Sequence, residues 1–158
     1  MSELDFYYTS AIHHNTYLAI NATIHPAPYS KNVFVIGASR GVGRAISIAY
    51  ATSGVAAIAI AARSCLDNVE EEIKRTAEAA GCSAPRVPKI LLDVTDEASV
   101  AAAALPVKGA LGRLDVLINN AGHCEEWVGF ADSKIQDWWM TWEVNVRGPY
   151  LLLARCFQ

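Results

Sequence analysis

The segment that most constrains the fold is Gly37-Ala38-Ser39-Arg40-Gly41-Val42-Gly43. It follows a continuous apolar run, Val33-Phe34-Val35-Ile36, which suits a strand buried on both faces. It precedes Val42, Ala45, Ile46 and Ala49, which repeat at helical spacing and are followed by Gly54 as a C-terminal stop. A strand that turns through glycines straight into a helix presents bare backbone N–H groups beside the positive end of a helix dipole. A pyrophosphate needs those surroundings. Gly37 permits the tight turn, while Gly41 and Gly43 allow close approach without a clashing Cβ. Ser39, Arg40 and Val42 complete the phosphate-binding loop.

The same alternation continues along the chain. Val55 to Ala61 reads as a second buried strand. Ser64 is placed to cap a helix with the stripe Leu66, Val69, Ile73, Ala77 and Ala80, closed by Gly81. Ile90-Leu91-Leu92 is a short third strand, Asp96 to Leu105 an alanine-rich helix, and Leu114 to Ile118 a fourth strand. Ser133-Lys134-Ile135-Gln136 matches a capping box. It opens a helix bearing Trp138, Trp139 and Trp142, whose spacing points to helix packing in preference to a substrate site. Tyr150 to Phe157 is apolar and helix-like. This order implies an α/β fold, a Rossmann-like doubly wound parallel sheet. Residues 1–30 differ. They hold three of the four histidines and four of the six tyrosines without either periodicity, and read as an extended lead-in to a domain spanning 31–158.

Composition excludes several classes. The formal net charge is -3, so no basic surface for nucleic acid is indicated. The longest strongly apolar run, Val55 to Ala62, is too short to span a membrane. Glu3 and Asp5 stand where a secretory signal would be positive. Cys65, Cys82, Cys124 and Cys156 form no Cys-x-x-Cys pair, which points to reduced thiols, a cytoplasmic protein and no zinc site.

Which dinucleotide is favoured turns on the end of the second strand. An acid there would accept from a ribose 2′-hydroxyl and repel a 2′-phosphate. The chain has Ala61-Ala62-Arg63 instead. Arg63 offers a planar fork of donors for a phosphate, and Arg40 adds a second positive charge. Both favour NADP(H) over NAD(H). Asp93, after the third strand, can accept from an adenine amino group, with Val94 walling the ring. The plainer alternative is a turn or capping aspartate, since Thr95 and Asp96 follow. Asn119-Asn120-Ala121-Gly122 can brace the sheet edge and let a ribose lie close to backbone.

Together with Asn145-Val146-Arg147-Gly148, these motifs stand in the order of the short-chain dehydrogenase/reductase family, which residues 31–158 resemble. His14 to Ile20 also resembles the N-terminal extension of some fungal members. Ile36 departs from the family's usual threonine. The resemblance implies that Gly37 to Gly43 bind the pyrophosphate and that Arg40 and Arg63 select the 2′-phosphate. It places Asp93 and Val94 on the adenosine side, and Asn120, Ala121 and Gly122 on the nicotinamide ribose side. Asn145 matches the family's catalytic asparagine, which holds a water in a proton relay. The implied reaction is hydride transfer between NADP(H) and a small-molecule carbonyl or alcohol.

The family's proton donor is a tyrosine with a lysine four positions later, because a developing alkoxide must be protonated near neutral pH. Four positions after Tyr7, Tyr8, Tyr17, Tyr29, Tyr50 and Tyr150 stand Ala11, Ile12, Asn21, Val33, Gly54 and Ala154. The family's upstream serine, placed after a fifth strand, is likewise not found. The expectation is a family member truncated after the fourth strand and its following helix, inactive as 158 residues, with an apolar edge strand that invites association. A second reading is a non-catalytic NADP(H)-binding or interaction module, paired with its own copy or with a complete homologue.

Overall fold

The computed structural model describes residues 30–156, so the lead-in expected over 1–30 lies outside the described residues apart from Ser30. Four strands form one parallel sheet: β1 (Asn32–Ile36), β2 (Ala57–Ala62), β3 (Lys89–Leu91) and β4 (Val116–Asn119). Their spatial order is β3-β2-β1-β4. The chain builds outward from β1 to β3 and then crosses back to β4. The carboxyl ends of β1 and β4 therefore flank the point where the strand order reverses, which is where open α/β sheets bind ligands.

Strand pleat explains how one sheet serves two cores. Successive side chains point to opposite faces. Phe34, Ile36, Ala57, Ala59 and Ala61 face one core, and Val33, Val35, Ile58 and Ile60 face the other. Helices α1 (Gly41–Thr52) and α2 (Asp67–Ala79) cover the second face through Ala51, Val69, Ile73 and Ala77. Helices α3 (Glu97–Leu111) and α5 (Gly148–Cys156) cover the first through Val100, Val107, Leu111, Leu151 and Leu152. A fully buried Phe34, Ile58 or Ile73 contributes about 1.5–3 kcal/mol each. The architecture is the expected Rossmann-like doubly wound sheet, with β4 as one edge among the described residues.

Several local expectations change. Helix α2 starts at Asp67, with Leu66 and not Ser64 at its N-cap. Asp67 and Glu70 lie in its first turn. Lys89 Nζ pairs with Asp67 at 2.5 Å and with Glu70 at 2.6 Å, fixing the start of the helix against β3. Of the expected stripe, Ala80 is exposed. Helix α3 runs through Pro106 to Leu111 instead of stopping at Leu105. Its last turn is held from outside: Asn32 Nδ2 donates to Leu111 O at 3.1 Å and Arg86 Nη1 to Ala110 O at 2.5 Å.

Helix α4 (Ile135–Trp142) has Lys134 at its N-cap, with no side-chain cap. Ser133 Oγ donates instead to Phe130 O at 2.8 Å, closing a short 3-10 turn over Phe130–Asp132. The tryptophans do not pack into the helix layer. Trp138, Trp139 and Trp142 are exposed and lean on one another, with ring centroids 5.7 and 5.8 Å apart. None of α4 is buried; the helix reaches the core only at Val144, in the π-helical turn Glu143–Arg147 that joins α4 to α5. No helix of the described residues is long and apolar enough to cross a membrane, and none of their His, Cys, Asp and Glu side chains form a metal-binding group.

Candidate cofactor site

A cleft of about 530 Å³ opens at the carboxyl ends of the four strands. Its floor begins with the glycine loop. The N–H groups of Gly37 and Ala38 both donate to Ala61 O, at 2.8 and 3.1 Å, which ties the loop to β2. Gly37 has φ +80, and a Cβ there would stand 2.6 Å from Ala121 N, so the loops after β1 and β4 touch through bare backbone. Gly43 lies behind the loop, outside the cleft wall. A Cβ on it would stand 2.3 Å from Gly37 O and 2.5 Å from Asn120 Nδ2. Asn120 Nδ2 donates to Gly37 O at 3.1 Å, and its N–H donates to Ile36 O at 3.1 Å. The amide thus ties the glycine loop to the end of β4.

The N-terminus of helix α1 faces the cleft. The N–H groups of Gly41, Val42 and Gly43 precede the first intrahelical bond, Arg44 N–H to Arg40 O, and carry the positive end of the helix dipole. Ser39, Arg40, Gly41 and Val42 line the cleft, and exposed Arg63 lines it from the end of β2. Arg44 is turned away, with its Nη2 paired to Glu72 at 2.6 Å. The charged side chains of the lining are Arg40, Arg63 and Asp93, so positive charge prevails.

Asp93 lines the cleft and forms a local turn. Its Oδ1 accepts from Thr95 N–H at 2.9 Å and from Thr95 Oγ1 at 2.7 Å, the local turn of the plainer reading. Oδ2 takes no hydrogen bond from the described residues. Burial pushes the carboxyl up. The two Thr95 hydrogen bonds and the Arg63 charge outweigh it and leave the group below the usual aspartate range. Val94 lines the cleft but is almost wholly buried, packed where a Cβ on Gly148 would meet its Cγ2 at 3.0 Å.

Asn145 stands outside the cleft wall, in the π-helical turn. Its Oδ1 accepts from His123 N–H at 2.9 Å, and its Nδ2 donates to His123 O at 2.7 Å. Gly122 lies beside it: a Cβ there would meet Asn145 Oδ1 at 3.5 Å, an ordinary contact. Except for Gly43, every residue read from the sequence as cofactor-binding lines this one cleft. The sequence reading missed His123, Met140 and Val144, which also line it. His123 directly follows Gly122, and Met140 and Val144 stand four apart on one helix face, which were the available signals. The Nε2 of His123 is buried without a hydrogen-bond partner among the described residues.

The model of the short chain dehydrogenase family matches residues 31–158. The short chain dehydrogenase mpl6 of Monascus purpureus is 46% identical over 147 residues, covering 93% of this chain and 50% of that relative. Among solved structures, a metagenomic short-chain oxidoreductase in complex with NADP superposes with a TM-score of 0.64 at 32% identity, covering 80% of this chain and 54% of that one. An NAD+-bound xylitol dehydrogenase superposes with a TM-score of 0.68 at 25% identity, covering 80% and 46%. The chain belongs to the short-chain dehydrogenase/reductase family. It spans about half the length of the curated relatives it matches.

Proposed function

We propose that residues 30–156 form the NADP(H)-binding half of an oxidoreductase that transfers hydride to or from a small-molecule carbonyl or alcohol carbon. The observation that carries this reading is the convergence of Arg40 and Arg63 on a cleft floored by Gly37, Gly41 and Asn120. The residues fit the cofactor. A bare loop with unclaimed N–H groups suits a pyrophosphate, two exposed guanidinium groups suit a 2′-phosphate, and Asp93 Oδ2 is available to a base amino group. Solved relatives occur with NADP and with NAD+. The choice of NADP(H) for this chain rests on its own Ala62-Arg63, where no carboxylate stands to bind a 2′-hydroxyl.

When bound, the nicotinamide supplies or accepts the hydride. The residues at hand bind and orient. The α1 N-terminus holds phosphate charge, Asn120 keeps the loop in shape, and Val94 and Val144 give the cleft apolar wall. Asn145 sets the backbone of His123 beside the cleft, the position from which its family role in a proton relay would follow. The proton donor itself has no Tyr-x-x-x-Lys counterpart in these 158 residues. Cofactor binding is therefore assigned here, and reduction is assigned to a chain that also carries such an acid. A cytoplasmic location is part of this reading and rests on the wide spacing of the four cysteines, which form no Cys-x-x-Cys pair.

Thermal melting with added cofactor tests the reading. NADPH at about 100 times its dissociation constant stabilises by about 2.7 kcal/mol. NADH at the same concentration is expected to shift the melt less. No shift with either dinucleotide overturns the assignment.

A further inference from the structure

The side chains that line the cleft do not hold themselves in place. Asp93 Oδ1 is fixed by two hydrogen bonds from Thr95, one from its backbone and one from its hydroxyl. Thr95 is fixed in turn. Arg147 Nη1 donates to Thr95 O at 2.8 Å, and Arg147 Nη2 pairs with Glu97 in the first turn of α3. One guanidinium thus ties the end of the loop between β3 and α3 to the first turn of α3. A planar fork offers two separate nitrogens held in fixed geometry for these two acceptors. Arg147 comes from the same π-helical turn as Asn145. Residues two apart on a helix face different ways. Asn145 reaches the loop after β4, and Arg147 reaches the loop after β3.

We propose that Arg147 is a positioning residue which, through Thr95, aims the free Oδ2 of Asp93 at the 6-amino group of the bound purine and so sets the base selectivity of the cleft. The inference rests on the dinucleotide-binding reading above. Its chemistry is specific to the base. Adenine carries an exocyclic N–H donor at position 6, which a fixed carboxylate accepts. Hypoxanthine carries a carbonyl oxygen there, which a fixed carboxylate repels. Released from Thr95, the Asp93 carboxylate can rotate away, and the two bases become alike to it.

The test compares dissociation constants for NADPH and for its hypoxanthine counterpart on the full chain, well below its melting temperature. The unaltered protein is expected to prefer NADPH by about tenfold or more, the worth of one charge-assisted hydrogen bond. Arg147→Met and Arg147→Lys should both bring that ratio close to one. Asp93→Asn should reverse it, since the amide donates to the oxo group. A merely structural role for Arg147 would weaken both dinucleotides equally and leave the ratio intact, and that result overturns the proposal. If the Arg147 variants fail to fold, Thr95→Val carries the test: it removes the hydroxyl donor, keeps the N–H, and should reduce the ratio. A ratio of one in the unaltered protein also overturns the proposal. Failure of the unaltered protein to bind either dinucleotide overturns the cofactor reading beneath it.

Discussion

The Nδ2 of Asn120 lies 2.5 Å from the point where a side chain on Gly43 would have to begin. The contact is a consequence of the amide's reach to Gly37 O, which itself lies 2.3 Å from that point. Helix α1, the glycine loop and the end of β4 therefore meet in a space that admits no methyl group. Gly43→Ala must push helix and loop apart and break the Asn120 bond. We expect a loss of about 1–3 kcal/mol in urea unfolding, the usual range for overpacking. The NADPH-induced rise in melting temperature should vanish with it. An alanine variant with an unchanged urea midpoint and an unchanged NADPH shift would count against this packing.

The paired hydrogen bonds between Asn145 and the His123 backbone predict a graded series. Asn145→Asp keeps an acceptor for His123 N–H but sets a carboxylate oxygen against His123 O. Asn145→Ala loses both bonds and exposes the loop to water. Each change should destabilise by about 0.5–3 kcal/mol, with the aspartate variant worsening as its charge forms above about pH 4. Hydrogen exchange at the His123 amide is the direct measurement. Protection equal to that of the unaltered chain would mean that the clamp does not exist in solution.

Selectivity between cofactors should follow the arginines. Arg63→Ala should weaken NADPH binding about 10- to 100-fold, as expected for loss of a charged hydrogen bond to phosphate. NADH binding should hardly change. Arg63→Asp should go further and favour NADH, because the new carboxylate accepts from a 2′-hydroxyl and repels a 2′-phosphate. Calorimetric titration of both dinucleotides decides the matter. Equal weakening of the two would mean that Arg63 serves the fold and not the 2′-phosphate.

How much of this was legible in the sequence depends on which force fixes each feature. Val33 to Ile36 and Val55 to Ala61 are apolar on both faces because both faces are covered, so burial wrote them plainly. Gly54 and Gly81 have φ +75 and +74 just past their helices, and no other residue type takes those conformations as cheaply. Helix starts were less legible. Ser64 and Ser133 have the right chemistry for caps, but the helices start at Asp67 and Ile135, and Ser133 Oγ donates to Phe130 O instead. The π-helical turn at Glu143 left no periodic signal, since it breaks the repeat that would reveal it. It nevertheless carries the two side chains that hold both cleft loops. The tryptophans of α4 show the reverse failure: their spacing is helical, but spacing alone does not say whether a neighbour exists to cover them.

The edge of the sheet makes a prediction about association. Among the described residues β4 pairs only with β1, and Trp138, Trp139 and Trp142 stand exposed on α4. Open strand edges and apolar patches both recruit other chains. The 158-residue chain should associate with itself in a concentration-dependent way, as read by sedimentation velocity. Replacing Trp139, more than half exposed, by Lys should reduce association without lowering the melting temperature. A monodisperse monomer at high concentration would show that neither surface is adhesive.

Asp115 should contribute to the acid sensitivity of the fold. Its Oδ2 accepts from Asn32 N–H at 2.8 Å, and its Oδ1 pairs with Arg113 Nε at 3.0 Å and Lys31 Nζ at 3.3 Å. The Asn32 hydrogen bond is the main cause that holds its carboxyl below the usual range. Burial opposes it, and Arg113 and Lys31 assist. The folded state thus binds the proton more weakly than the unfolded chain. Stability from this group is complete above the unfolded value of about 3.9 and is lost as pH falls through that value and then through the lower folded one. Asp115→Asn keeps a side-chain acceptor for Asn32 N–H but cannot titrate. It should be less stable than the unaltered chain at pH 7, and the gap should close as pH falls below about 4. Asp67, Glu70 and Asp93, also held low, titrate in both proteins and cancel in the difference. Urea midpoints taken from pH 7 down to about 3 measure the gap. A gap that stays constant over that range would show that the charge of Asp115 contributes nothing to holding β1 against the turn before β4.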